Sequence, residues 1–382
     1  MIYLDNSATT KPYPEVIQTV QDVMERYFAN PSALHAKGEE ANRLLTEARH
    51  VASRLLRVEA DEIIFTSSAT ESNNLAIKGS AIQYAHRGKH LITTAVEHPS
   101  VDQPLEQLTD FGFEVTRIPV DRNGVICLEE LKRALRDDTI LVSIIWVNNE
   151  TGSIQPLKEI GQLLKARRKL LFHVDAVQGF GKLPLDLKSW GIDMLSLSAH
   201  KFHGPRGVGL LYLRRGLALS PLLAGGGQES GVRSGTENLP GIVGMVQAMR
   251  RTEQQRKDRV GYLQQMRGIL VDGIRKIPEA ALNSPPDGAP HILNVSFPGI
   301  KPEVLIHALE KKGVYVSTLS ACSARRQKLS RVLLAMGMDE ERASSSIRFS
   351  LSYLNTVEEV KEAVRILQET VKQLREWMEV KG

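Results

Sequence analysis

Lys201 closes the sequence Ser198-Ala199-His200-Lys201, at the end of the strand-like run 194–198. A lysine just past a strand, beside Ser and His, can hold an aldehyde as a Schiff base. Asp175 follows another strand-like run, 170–174. A carboxylate there can hold the proton of a pyridinium nitrogen, which makes the ring an electron sink. A third run, 62–66, leads into Ser67-Ser68-Ala69-Thr70-Glu71-Ser72-Asn73-Asn74. Ser68 and Glu71 have the spacing of a capping box, and the N–H groups of such a helix start suit an anion. Each segment alone reads as an ordinary turn or cap. Together they offer an amine, a carboxylate and a phosphate cradle. Pyridoxal 5'-phosphate needs all three, and the pattern calls for no metal.

These residues need a scaffold that brings strand ends together. Runs 62–66, 89–94, 113–119, 140–147, 170–174, 194–198 and 208–213 read as strands, and helical patterns lie between them. The run 140–147 is almost continuously apolar, as a strand covered on both faces should be. Leu157, Ile160, Leu163 and Leu164 recur at helical spacing after Pro156, a favoured first-turn residue. Such alternation predicts an α/β fold with a mainly parallel sheet, whose ligands bind beyond the carboxyl ends of the strands. Asn148-Asn149-Glu150 follows 140–147 at the same edge, and His173 inside its strand reads as a core histidine.

The pattern changes near residue 250. Residues 251–258 are nearly all polar, and an amphipathic helix with Val260, Leu263, Met266, Leu270, Ile274 and Ile277 on one face follows. Strands are expected at 291–297 and 314–318, and Thr356 with Glu359 would cap a last helix striped by Val360, Val364, Leu367, Val371, Leu374 and Met378. The expected division is therefore a large domain at 13–255 and a small α+β domain at 256–382, with residues 1–12 packing near the latter. A length of 382 residues suits two to three domains of about 150 residues.

Composition excludes several classes. Two cysteines, Cys127 and Cys322, rule out a disulfide scaffold and suggest a reducing compartment. No apolar run nears the roughly 18 residues of a membrane span, and no secretion signal opens the chain, so a cytoplasmic protein is expected. Net charge is only +5, and the basic pairs are scattered without aromatic interleaving, which argues against direct nucleic-acid binding.

The order of short motifs adds a resemblance. It runs from Tyr3-Leu4-Asp5-Asn6-Ser7-Ala8-Thr9-Thr10 through Asn30-Pro31-Ser32, Ala69-Thr70-Glu71-Ser72 and Glu97-His98. It continues through Asn148-Asn149-Glu150, His173-Val174-Asp175-Ala176, Ser198-Ala199-His200-Lys201 and Gly225-Gly226-Gly227-Gln228-Glu229. Arg233-Ser234-Gly235-Thr236, Ser320-Ala321-Cys322 and Ser346-Ile347-Arg348-Phe349-Ser350 complete it. In this order and spacing the chain resembles the cysteine desulfurases of the nitrogen-fixation and iron–sulfur type. These are class V aminotransferases with the PLP-dependent transferase fold of type I. The resemblance implies a mainly parallel seven-stranded sheet in the large domain.

It also implies roles. Lys201 would carry the Schiff base, Asp175 would partner the pyridinium nitrogen, and Gln178 would reach the ring hydroxyl oxygen. His98 would stack on the ring and act as acid or base. Ala69, Thr70, Ser198 and His200 would cradle the phosphate. Thr236 would reach it from the neighbouring subunit of a homodimer. Asn149 and Arg348 would hold the substrate carboxylate, assisted by Asn30; a planar guanidinium suits that task. L-cysteine would become L-alanine, with its sulfur left as a persulfide on Cys322. Arg325, Arg326 and Lys328 would favour the thiolate there, whereas Cys127 reads as plain packing.

The chain departs from the family pattern at Leu319, at Ser323-Ala324-Arg325-Arg326-Gln327 and at Ser68. The longer tail by which some relatives engage an iron–sulfur scaffold is not expected here, since the last helix is read as ending close to Gly382. The implied acceptor is thus a tRNA-thiolating enzyme, a thiocofactor enzyme or such a scaffold. Selenocysteine lyase and class V aminotransferase are the alternative activities, and a non-catalytic binding protein is the third.

Overall fold

The computed structural model describes residues 1–167, 169–259, 261–318 and 329–381. Val260 and Cys322 lie outside the described residues. The chain opens on a short strand, β1 (Ile2–Tyr3). A large sheet then takes β2 (Ile63–Thr66), β3 (His90–Thr94), β4 (Glu114–Ile118), β5 (Thr139–Ile145), β6 (Leu171–Asp175), β7 (Met194–Ser198) and β8 (Gly209–Leu213). Their order is β2-β8-β7-β6-β5-β3-β4, and only β8 runs against the rest. This is the mainly parallel seven-stranded sheet expected.

The period of two along each strand sorts its side chains onto two faces. Leu210 and Tyr212 of β8, with Ile63 and Phe65 of β2, join the core beneath the helices Pro14–Arg26, Ala36–Leu56 and Leu239–Asp258. Leu211, Leu213 and Ile64 point the other way, into a core beneath the helices Ala69–Tyr84 and Pro99–Thr109. With helices on both faces, every residue of β5 is buried. That is why its sequence is almost continuously apolar, broken only by Thr139 and Ser143, instead of alternating.

A separate core lies toward the carboxyl end. It is built on β9 (Ala281–Leu282), β10 (Ile292–Ser296) and β12 (Ser346–Ser350), which form an antiparallel sheet in the order β12-β10-β9. The strand β11 (Val314–Tyr315) pairs in parallel with β1. Leu263, Met266, Leu270, Ile274 and Ile277 pack on this core, as do Val360, Leu367 and Val371 of the helix Val357–Lys381. Leu4 is part of the same core. The last helix is capped reciprocally: Thr356 N–H donates to Glu359 Oε2 at 3.1 Å, and Glu359 N–H to Thr356 Oγ1 at 3.1 Å.

Two readings of the sequence change. The polar stretch 251–258 is the outer end of the continuous helix Leu239–Asp258, so the expected boundary after 255 falls inside its last turn. Exposed helix faces are polar for the same reason linkers are. Cys127 does not pack inside; it is exposed, just before the helix Leu128–Ala134. The buried neighbour there is Ile126.

One ion pair, between a partly buried Arg49 and a buried Glu229, ties the glycine-rich segment to the sheet. Arg49 grips Glu229 with two bonds of 2.8 and 2.7 Å, and Phe65 N–H donates to the same carboxylate at 2.9 Å. Glu229 and Ser230 both hold positive φ, at 47° and 57°, a conformation that needs such anchoring. Arg49→Ala strands the Glu229 carboxylate and is expected to cost about 3 kcal/mol in urea unfolding. Adding Glu229→Gln should recover part of that loss.

Candidate active site

Five parallel strands deliver their carboxyl ends to one cavity of about 210 Å³. From β2 come Ser68, Ala69 and Thr70; from the turn after β3 comes His98. The segment after β5 supplies Asn149, β6 ends in Asp175 with Gln178 just beyond, and β7 leads to Ser198, His200 and Lys201. Arg348 enters from β12 of the other sheet. Ten of the expected site residues thus meet in one place.

The local sequence explains each position. Ser68 caps the helix Ala69–Tyr84 by accepting from Glu71 N–H at 3.3 Å, while Glu71 Oε2 accepts from Ser67 N–H at 2.6 Å. The first intrahelical bond is Ser72 N–H to Ser68 O. The Ala69 and Thr70 N–H groups precede it, where a helix favours an anion. Gly209 makes this turn possible, because a Cβ there would sit 2.5 Å from the Ser68 carbonyl carbon. Only glycine lets β8 pass so close to the cap.

Asp175 is 3% exposed. It accepts from Asn73 Nδ2 at 2.9 Å and from Val177 N–H at 3.1 Å. Burial raises its pKa, and those two donors and Lys201 oppose the rise. Gln178 donates its amide to Ser7 O at 3.0 Å. Lys201 Nζ donates to the carbonyls of Ser7 and Ala8. Lys182, itself buried, donates to Lys201 O at 2.8 Å, and burial with the Lys201 charge lowers its pKa to about 7.

His98 and His200 are held neutral. Burial first, then the charge on Lys201, brings each to about 4. Arg348 is 1% exposed. It donates to Asn149 O at 2.8 Å and to Asp5 Oδ1 at 2.9 Å. The guanidinium has five N–H groups, so this ion pair orients it and still leaves donors for a carboxylate. His173 is a core residue, between Ser143 Oγ and Ser196 Oγ at 2.8 and 2.9 Å.

Two expected residues are not brought in. Asn30 is exposed and accepts from Ser32 N–H at 2.9 Å. Thr236 is exposed and lines a separate small recess with Ser67 and Arg233. The sequence reading missed Ser7, Ala8, Asn73 and Ser100. Ser7 and Ala8 act largely through backbone carbonyls, which leave no side-chain signature. Asn73 and Ser100 sit within quoted or neighbouring motifs but read as helix starts.

The aminotransferase class-V family pattern matches residues 2–363. The chain belongs to that family. A cysteine desulfurase IscS of Methanosarcina thermophila is 43% identical over 375 residues, covering 98% of this chain and 93% of that one. A solved NifS-like protein is 40% identical with a TM-score of 0.92, over 97% of this chain and 99% of that one. A second structure, SspA in complex with cysteine, is 34% identical with a TM-score of 0.79, over 92% and 99%. The class-V fold is thus that of PLP fold type I proteins. Among the described residues no His, Cys, Asp and Glu cluster suits a metal, and no helix is long and apolar enough to cross a membrane.

One class-V neighbour of the cavity predicts a pH effect. Glu97 is buried and accepts from Thr94 Oγ1 at 2.6 Å and Ile145 N–H at 3.0 Å. Burial, with Asp175 adding to it, raises its pKa to about 8. The folded state therefore keeps a proton that the unfolded chain has lost at neutral pH. Stability from this group is lost as pH rises through about 8. Glu97→Gln cannot ionise. Between pH 7 and 8 its urea midpoint should gain on the wild type by the equivalent of roughly 1 kcal/mol, and little more above that.

Proposed function

We propose that the protein is a cysteine desulfurase that converts L-cysteine to L-alanine and passes the sulfur onward through Cys322. The observation that carries this is the meeting of Lys201, Asp175, His98 and Arg348 in one cavity, in a chain whose relatives bear that name. The donor set fits pyridoxal 5'-phosphate: an amine at Lys201, a buried carboxylate at Asp175, and free N–H groups at Ala69 and Thr70 with Ser198 and His200 nearby. Bound there, that cofactor supplies the sink for the charge left when a substrate Cα proton is removed.

The chain's own residues do the rest. Asp175 would stabilise a positive charge on the ring nitrogen, Gln178 would hold the ring hydroxyl oxygen, and His98 would contact the ring. Ala69, Thr70, Ser198 and His200 would bind the phosphate. Lys201 would hold the aldehyde and would move the Cα proton. Arg348, oriented by Asp5 and Asn149, takes the substrate carboxylate, with Asn149 beside it. The Cys322 thiolate then bonds to the substrate sulfur as the Cβ–S bond breaks. The electron pair stays on Cβ, which takes up a proton on the way to alanine. Exposed Thr236 reaches the phosphate of a second subunit, so the working unit is a homodimer. The sulfur goes to a tRNA-thiolating enzyme, a thiocofactor enzyme or an iron–sulfur scaffold.

The purified protein should be yellow, and borohydride should bleach it. Given L-cysteine and a thiol reductant, it should release alanine and sulfide in equal amounts. Amino-group transfer to a keto acid without alanine release would establish an aminotransferase instead.

A further inference from the structure

Asn73 and Ser100 join two of the reactive groups of the cavity, Asp175 and His98. Asn73 is 0% exposed, on the helix Ala69–Tyr84; Ser100 is buried in the first turn of the helix Pro99–Thr109. Asn73 Nδ2 donates to Asp175 Oδ2 at 2.9 Å and to Ser100 Oγ at 2.8 Å. Ser100 Oγ lies 2.8 Å from His98 Nδ1, and Ser100 N–H donates to that same nitrogen at 3.1 Å.

These contacts permit one arrangement of protons. A carboxylate only accepts, so Asn73 must turn its amide nitrogen toward Asp175. The second hydrogen of that nitrogen goes to Ser100 Oγ. A backbone N–H cannot change its role, so His98 Nδ1 is an acceptor and carries no hydrogen. The Ser100 hydroxyl hydrogen is then left to point at Nδ1 as well. A neutral imidazole has one N–H, and here it must be on Nε2.

We propose that Asn73 and Ser100 are positioning residues that fix His98 as the Nε2–H tautomer, so that it presents a hydrogen-bond donor to the cavity. A donor suits a substrate group that gains negative charge, such as a thiolate sulfur, and does not suit proton abstraction. Proton removal then falls to Lys201. The chemical meaning rests on the desulfurase reading, whereas the tautomer does not. The ionisable groups that share the cavity with the ring are Lys201, Asp175, His200 and Arg348, and Glu97 precedes it in the chain. Charging the ring would place a hydrogen on Nδ1 against Ser100 N–H, which acts in the same sense as burial and the Lys201 charge.

The test is two-bond 1H–15N spectroscopy of the holoenzyme labelled with 15N-histidine, with His98 assigned by the signal lost in His98→Gln. The expected wild-type spectrum at pH 7 shows His98 with its proton on Nε2. Ser100→Ala removes a donor to the neutral ring, so the His98 pKa should rise by about one unit, a tenfold gain in proton affinity. Asn73→Leu should move it in the same direction, and Ser100→Thr, which keeps the hydroxyl, should not. Unfolding midpoints of the same samples separate these shifts from loss of fold. A wild-type His98 protonated on Nδ1 overturns the proposal, even if a variant fails to fold. So does a Ser100→Ala protein whose His98 titrates as in the wild type. Neither readout uses alanine production, so each stays decisive if the desulfurase reading fails.

Discussion

Lys201→Ala is expected to lower alanine formation from L-cysteine by at least about 10³-fold, roughly 4 kcal/mol of barrier. Nζ is the amine placed in the cavity by the turn after β7, where the Ser7 and Ala8 carbonyls hold it. Alanine removes both the group that would hold the aldehyde and the group that would move the Cα proton. The fold should survive, because the bonds to the Ser7 and Ala8 carbonyls come from a side chain at a part-buried position. Steady-state alanine release and borohydride labelling check the two losses separately. Normal turnover with normal labelling would remove Lys201 from the mechanism.

Cys322→Ser should separate chemistry at the substrate from capture of its sulfur. The variant is expected to stay yellow and to change colour when L-cysteine is added. Sulfur transfer to an acceptor should fall at least about 10²-fold, because a thiolate is the nucleophile and a serine hydroxyl does not ionise near pH 7. Arg325, Arg326 and Lys328 lie within six positions in the sequence, and cations near a thiol would favour its thiolate. The assignment of Cys322 stands on this sequence setting and on the motif order. Undiminished transfer by the serine variant would remove it.

Much of the site was legible because its chemistry lies in side chains that end strands. The alternation of strand-like and helical runs, with the almost continuously apolar run 140–147, predicted the parallel sheet, and a parallel sheet collects ligands at one edge. Lys201, Asp175 and the Ser68 cap could therefore be placed together before any coordinates. Arg348 was harder, since it comes from a different sheet nearly two hundred residues after Asn149, and only a resemblance linked them. The carbonyls of Ser7 and Ala8 were invisible, because every residue has a carbonyl. Asn73 and Ser100 were missed for another reason: small polar residues at helix starts usually serve as caps, and their bonds across the helix pair appear only in three dimensions. Cys127 misled through its apolar neighbours, one of which, Ile126, takes the buried place.

The central claim is that sulfur leaves L-cysteine for Cys322. It is tested most directly by mass spectrometry of the peptide containing Cys322 after a single turnover without reductant. One added sulfur on that peptide, matched by one alanine per active site, is the predicted result. Alanine formed while the Cys322 peptide keeps its original mass would contradict it.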